Sequence, residues 1–462
     1  MSFCQPCRPS LVKARHAALF FTAIIAPLGL FTAAANAQLT ADQLVGDAVS
    51  GNTARYTNIT EAIKRFSNRD ILAARQFLER ALEKDPKLPP VDLLLAKMYI
   101  LSNQTAAGRA ALERTVREAP GDPETYLILA DQLYAQGRLI EAEALYDKAI
   151  GLIDGFDGNE KRKRNSLIRA RAGRAAVSAI RQDWPAAEAD LRVWVNADPD
   201  TANAHHRLGR ALFLSGQTKT GLEELAKAYE LEDSLPNPYV TAALLFAQMG
   251  DPDKAAKTFE TAVTQNQDDS RTLVSYAQWL IQSQNIAEAE KVLKKAQNIA
   301  PESIEILTLS GVAAKMAGKR QPAEEDFKAA LAQSPSNRSV LNQLALLLAE
   351  QAPTDENKGR RALEFAQMNA RLYPDNSESN ITLAWVLYLL RKSQTDTQQA
   401  NQALQKGLRL GNLNADSRFL VAKLLANQNR NTDAKRLLQE ALDNKSGIFV
   451  HRKEAQTLYD SL

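Results

Sequence analysis

Between residues 270 and 303 the apolar side chains fall into two helix-spaced blocks, Leu273, Tyr276, Ala277 and Leu280, then Ala289, Val292, Leu293 and Ala296. Spacings of three and four place each block on one face of a helix. The polar run from Gln282 to Asn285 separates the blocks, and Pro301 closes the second because its ring cannot continue a helix. The stretch predicts a helical hairpin. One hairpin leaves its apolar face in water, so it needs a copy on each side.

The chain supplies the copies. A 34-residue frame gives eleven units: 55–88, 89–122, 123–156, 168–201, 202–235, 236–269, 270–303, 304–337, 338–376, 377–414 and 415–448. The eighth position is Ala or Gly in every unit, from Ala62 and Ala96 to Ala384 and Ala422, and the twentieth is equally small, as in Gly108, Gly221, Ala289 and Ala323. Small residues there let the two helices of a hairpin cross closely. Bulky residues at the twenty-fourth position, among them Leu78, Tyr146, Phe259, Leu293, Phe327 and Leu438, are expected to fill the space between hairpins. Gly137, Gly216, Gly250 and Gly318 mark the turn inside the hairpin, where a left-handed backbone is cheapest for glycine. Pro86, Pro120, Pro199, Pro335 and Pro374 end second helices, as Pro301 does.

Over residues 55–448 this ensemble resembles the tetratricopeptide repeat family. The resemblance implies an all-α fold, a right-handed α-solenoid or superhelix of about eleven hairpins. The expected organisation is a signal peptide at 1–37, a flexible lead at 38–54, three repeats at 55–156, a basic insertion at 157–167, eight repeats at 168–448 and a capping helix at 449–462. Gly158 and the charge run of the basic insertion would permit bending, which leaves open one rigid superhelix or two blocks hinged at 157–167. Two shorter insertions, around Pro353 to Lys358 and Ser393 to Gln398, are expected in connecting turns.

Charge changes the picture only locally. Three of the 57 basic residues, Arg8, Lys13 and Arg15, precede residue 38, which leaves 54 basic against 54 acidic side chains. A general basic field for nucleic acid is absent, so no nucleic-acid partner is expected. The first residues read as a secretory signal, with positive charge up to Arg15, an apolar run from Ala17 to Leu30 and Ala35-Asn36-Ala37 as a small-x-small cleavage site. A retained anchor and a transit peptide are the rival readings, against which Pro27, Gly29 and the cleavage-like end argue. The expectation is an exported chain, periplasmic or extracellular, with no membrane span after signal removal. Cys4 and Cys7, the only cysteines, would leave with the signal.

No phosphate-binding glycine loop, GxSxG or HExxH occurs, and the repeats leave no room for a catalytic domain. Neither an enzyme nor a cofactor is expected. His205 and His206 are neighbours but point about 100° apart on a helix, so they do not form a metal pair. They read instead as two partly exposed histidines.

The family resemblance places partner binding on first-helix positions two, five, nine and twelve. Carried over, these are Arg169, His206, Arg210 and Phe213, with Arg207 beside them, and the aromatics Trp385, Tyr388 and Phe419 further on. The run Lys161-Arg162-Lys163-Arg164 lies just before the first group. The expected function is a non-catalytic scaffold that holds an extended segment of another protein. The alternative is an envelope polysaccharide-handling or export-associated protein that grips an anionic glycan through the basic patch. The lysine and asparagine with which chaperone-tail-binding relatives clamp a terminal carboxylate are absent, since the first three units carry Ile59 and Ile63, Leu93 and Lys97, and Leu127 and Asp131 there.

Overall fold

The computed structural model describes residues 40–45, 56–391, 393–444 and 447–462; the expected signal, 1–37, lies outside them. Every regular element among the described residues is a helix. After a short α1 (Ala41–Val45) come α2 (Thr57–Ser67) with α3 (Ile71–Lys84), α4 (Val91–Leu101) with α5 (Thr105–Glu118), α6 (Pro123–Ala135) with α7 (Leu139–Ile153), and α8 (Glu160–Ile180) with α9 (Trp184–Ala197). Next are α10 (Ala202–Leu214) with α11 (Thr218–Leu231), α12 (Pro238–Gln248) with α13 (Pro252–Gln265), α14 (Ser270–Gln282) with α15 (Ile286–Ile299), and α16 (Ile304–Met316) with α17 (Arg320–Gln333). The series closes with α18 (Arg338–Ala349) and α19 (Glu356–Leu372), α20 (Ser377–Leu390) and α21 (Gln394–Leu410), α22 (Ala415–Ala426) and α23 (Asn431–Asp443), then α24 (Arg452–Ser461). The described residues up to Thr258 form one compact unit, and Phe259–Leu462 form a second.

The local reasons for these helices are polar caps and close-packed small residues. First helices start behind side chains that accept an otherwise unpaired backbone N–H: Asp122 from Glu124, Asn237 from Tyr239, Asp269 from Arg271, Asn337 from Val340 and Asn376 from Ser379. Pro123 and Pro238 occupy first-turn positions where no N–H is needed. The eighth-position alanines Ala62, Ala96, Ala130, Ala175, Ala243, Ala277, Ala345, Ala384 and Ala422 are all fully buried. In the α10–α11 hairpin two glycines meet, and a Cβ on Gly221 would lie 2.7 Å from the Gly209 carbonyl oxygen and 2.8 Å from the Phe213 nitrogen. Only a hydrogen fits there.

Three expectations about connecting segments are corrected. Residues 160–167 are the first two turns of α8, a helix of 21 residues capped by Asn159, so most of the basic insertion is helix and not linker. The insertion near 353 is divided, with Pro353 to Asp355 in the turn before α19, and together with the insertion near 393 it accompanies helices of 17 residues in α19 and α21, against 14 in α15 and α17. Part of the lead is docked: Leu44 and Val45 of α1 are buried, and the Leu44 carbonyl accepts from Lys97 Nζ at 2.9 Å.

The C-terminal element packs on the last hairpin. α24 packs on α22 and α23 and buries Ala455, with Leu458 and Tyr459 half-buried.

Candidate binding surface

Successive first helices touch one another within each unit. α6 contacts α8 and α10 contacts α12 in the first, while α14, α16, α18, α20 and α22 follow in contact in the second. Arg207 links α10 to α8 by donating from Nη2 to the Ala172 carbonyl at 2.8 Å. Each unit therefore presents a continuous first-helix face. The chemistry of the first unit's face is decided by which of its many charges have partners.

Most of the basic residues on and before α8 do. Arg162 is buried and its Nη2 donates to Asp122 at 2.8 Å and to Glu124 at 3.1 Å. Lys97 pairs with the same Glu124. Burial alone would raise the Glu124 carboxyl, but Lys97 and Arg162 outweigh it and hold it at about 2. Arg164 donates to Asp198 at 2.8 Å, and Lys163 to the Asp154 carbonyl at 3.1 Å. Arg171 and Arg174 share Asp190, with Arg174 also reaching Asp147 at 2.6 Å. Arg169 Nε donates to Asp131 Oδ2 at 2.7 Å, while Tyr146 donates to the other oxygen of that carboxylate at 2.6 Å. The run that looks like a basic patch in sequence is largely an internal ion-pair network.

α10 is different. Among the described residues no carboxylate lies within ion-pair distance of Arg207 or Arg210. The Arg207 guanidinium lies 5.3 Å from the centre of the Trp194 ring, and the Ala172 carbonyl is its one hydrogen-bond acceptor. Burial lowers it to about 10, and burial lowers Arg210 as well. His206, one turn before Arg210 on the same side of α10, is 8% exposed and its Nε2 is buried without a partner. Burial, then Arg210, then Arg207 push this imidazole down to about 4, so it is neutral at pH 7. Its neighbour His205 is fully used, with Nδ1 2.6 Å from Glu224 and Nε2 2.8 Å from the Pro199 carbonyl. Both histidines are thus buried, where sequence had suggested partial exposure.

The aromatic residues do not form an exposed platform. Phe213, Trp385 and Phe419 are 2%, 5% and 1% exposed and belong to the packed core. Phe213 packs edge-on against Phe246 at 4.8 Å. Phe419 stacks on His451 at 5.1 Å, and Lys423 Nζ sits 4.7 Å from the Trp385 ring and 5.2 Å from Phe419. Tyr388 stays half-buried, stacked on Trp385 at 6.2 Å and covered by the Arg391 guanidinium at 3.6 Å. A residue at a first-helix position faces the next hairpin as well as the surface, and large rings are drawn into that seam.

Among the described residues no group of three His, Cys, Asp or Glu side chains is arranged to hold a metal ion, and no helix is long and apolar enough to cross a membrane.

The tetratricopeptide repeat family model matches residues 65–132 and 246–311. A curated relative, cellulose synthase operon protein C of Pseudomonas fluorescens (strain SBW25), is 24% identical over 212 residues, which are 45% of this chain and 16% of that protein. Solved structures with similar helix arrangements include yeast Tom70, with a TM-score of 0.39 at 16% identity over 88% of this chain and 95% of that one. Pseudomonas aeruginosa pilF has a TM-score of 0.35 at 21% identity over 45% and 91%. With the small residues at positions eight and twenty buried in every hairpin where they are described, the stretches that the family model matches, 65–132 and 246–311, are tetratricopeptide repeats.

Proposed function

We propose that this protein is a non-catalytic scaffold of an exported compartment, whose first-helix face holds an extended segment of another protein. The observation that carries the reading is the chemical variety along that face. At equivalent positions the first unit offers half-buried Ala176, Arg210 and exposed Leu244, while the buried eighth positions of the same helices, Ala175, Gly209 and Ala243, are uniformly small. Uniform interior positions support stacking, and varied surface positions support recognition. Export rests on the residues before 38 and their signal-like order of charge, apolar run and small-residue site.

A second reading draws on the name of one relative. Cellulose synthase operon protein C suggests a role beside polysaccharide synthesis or export, and a sequence match to 16% of that protein supports it only as an alternative. Here the ligand would be an anionic glycan.

Site-specific photo-crosslinking in the native cell separates the two. Probes at Ala176, Leu244 and Ala247 on the first-helix face are expected to trap one protein, and probes at exposed Leu72 and Ile140 on second helices are not. Equal trapping from both sets, or none from the first, overturns the scaffold reading. Loss of the chain from an anionic-polysaccharide resin at high salt, with no protein adduct, establishes the alternative.

A further inference from the structure

We infer that the α8–α10–α12 face carries a carboxylate pocket, formed by His206, Arg207 and Arg210, that receives an Asp or Glu side chain of an extended protein segment. The inference rests on the scaffold reading and adds what the segment must contain.

The pairing pattern is the first ground. Asp122, Glu124, Asp131, Asp147, Asp190 and Asp198 are each bonded to Arg or Lys side chains on or beside α8, and Glu224 to His205. Every nearby acid is therefore engaged elsewhere, and two guanidinium groups on α10 are left without a counter-charge. A desolvated cation without an anion is unfavourable, and no carboxylate among the described residues pairs with these two. A bound carboxylate would neutralise both.

The geometry is the second. His206 and Arg210 are one turn apart on one side of α10, and Arg207 is fixed beside them by Ala172 and the Trp194 ring, so its guanidinium is already oriented before a ligand arrives. The unpartnered Nε2 of His206 sits in a residue more than nine-tenths buried, and it supplies a further donor when it carries the proton. Planar guanidinium groups match a carboxylate through two parallel hydrogen bonds.

The surroundings select a protein over a sugar chain. Flanking positions on α8 are the half-buried alanines Ala176 and Ala179, and on α12 they are Leu244, 45% exposed, and half-buried Ala247. A glycan would need several hydroxyl-pairing groups beside the anion site, whereas these four neighbours are apolar and the half-buried Tyr134 supplies a hydroxyl near Arg207. An acidic residue followed by an aliphatic one fits both parts.

The test is panning of a random dodecapeptide display library on the immobilised full chain. Enriched peptides are expected to share an Asp or Glu close to an aliphatic residue. For a synthetic peptide of that kind, Arg210→Gln or Arg207→Gln should weaken binding roughly tenfold. Changing the peptide's Glu to Gln should weaken it equally on the natural chain and add nothing on Arg210→Gln. The peptide-side change reads the contact without altering the fold, so an unstable variant does not remove the test. Enriched peptides with no acidic preference, or additive losses, sink the pocket and leave the scaffold standing. No enriched peptide, whether or not an alginate oligomer binds in its place, overturns both.

Discussion

Nδ1 of His451 lies 2.6 Å from Oδ1 of Asp416, and this pair fastens α24 to α22. The backbone nitrogens of Val450 and His451 donate to the same carboxylate at 3.2 and 3.1 Å. On its other side His451 Nε2 is 3.6 Å from Glu350, which Lys315 approaches at 3.3 Å. Burial and Lys315 push the imidazole down, but the bonds to Asp416 and Glu350 outweigh them and raise it above its ordinary value. Its stabilising effect is therefore complete below about pH 6.5 and is lost as pH climbs through the raised value. Glu350 behaves oppositely: burial pushes it up, His451 and Lys315 prevail, and it sits at about 2, so its effect is lost as pH falls below 4.5 toward that value. Amide exchange protection of residues 452–461 is expected to peak between those limits. In His451→Gln the decline on the alkaline side should disappear; an unchanged decline would assign it to another group.

Gly209 and Gly221 test the close crossing of α10 and α11. Alanine is the better helix former by about 1 kcal/mol, yet at Gly221 its Cβ would press on the Gly209 and Phe213 backbone. Gly221→Ala should destabilise the chain by about 1–3 kcal/mol. Gly151, inside α7 with nothing within 4 Å of its would-be Cβ, should give the reverse, a gain of about 0.5–1 kcal/mol on replacement by alanine. Urea unfolding midpoints of both variants, compared with the natural chain, decide the matter.

The hairpin turn adopts positive φ in five units that lack the marker glycine. Arg69, Asn103, Gln182, Gln284 and Asn429 occupy the same place in the frame as Gly137, Gly216, Gly250 and Gly318, with φ between 58° and 63°. A left-handed conformation is unfavourable for a side-chain-bearing residue by roughly 1–2 kcal/mol. Replacing Arg69, Gln182 or Gln284 by glycine should therefore raise stability by about 0.5–1 kcal/mol after the extra entropy of the unfolded glycine is deducted. Gly250→Ala should lower it by a similar amount. Thermal unfolding of the four variants would show no such sign difference if the turns relaxed to another conformation.

Arg169 and Arg210 occupy comparable positions and should respond oppositely to removal of charge. Arg169→Met strips Asp131 of its ion-pair partner and is expected to cost about 1.5–3 kcal/mol. Arg210→Met removes a desolvated cation that has no acid beside it, and should leave stability unchanged or raise it by about 1 kcal/mol. A loss at Arg210 as large as that at Arg169 would mean that the folded chain does supply it with a partner.

The repeat was legible because packing needs only local residue types: a small residue where helices cross, a bulky one between hairpins, a proline after the second helix. The charge pattern was not, because the partners are remote. Arg162 meets Asp122 across 40 residues, Arg169 meets Asp131 across 38, and Arg164 meets Asp198 across 34. A run of like charge says nothing about which acids the fold brings to it. For the same reason His206, Arg207 and Arg210 could be placed on the surface face by frame position, but not distinguished from Arg169. The depth of Trp385 and Phe419 was not legible either, because the frame gives direction and not depth. The left-handed turns at Gln182 and Gln284 had no signal at all, since a glutamine there is tolerated and not preferred.

The lengthening of α19 and α21 bears on a problem peculiar to repetitive surfaces. Three more residues than in α15 or α17 make each helix about 4.5 Å longer at the turn end of its hairpin. A partner lying along identical hairpins could slide by one repeat and find nearly the same contacts. Two consecutive second helices that stand one turn proud of their neighbours break that equivalence, and they give the Phe259–Leu462 unit a fixed origin from which position along it can be counted.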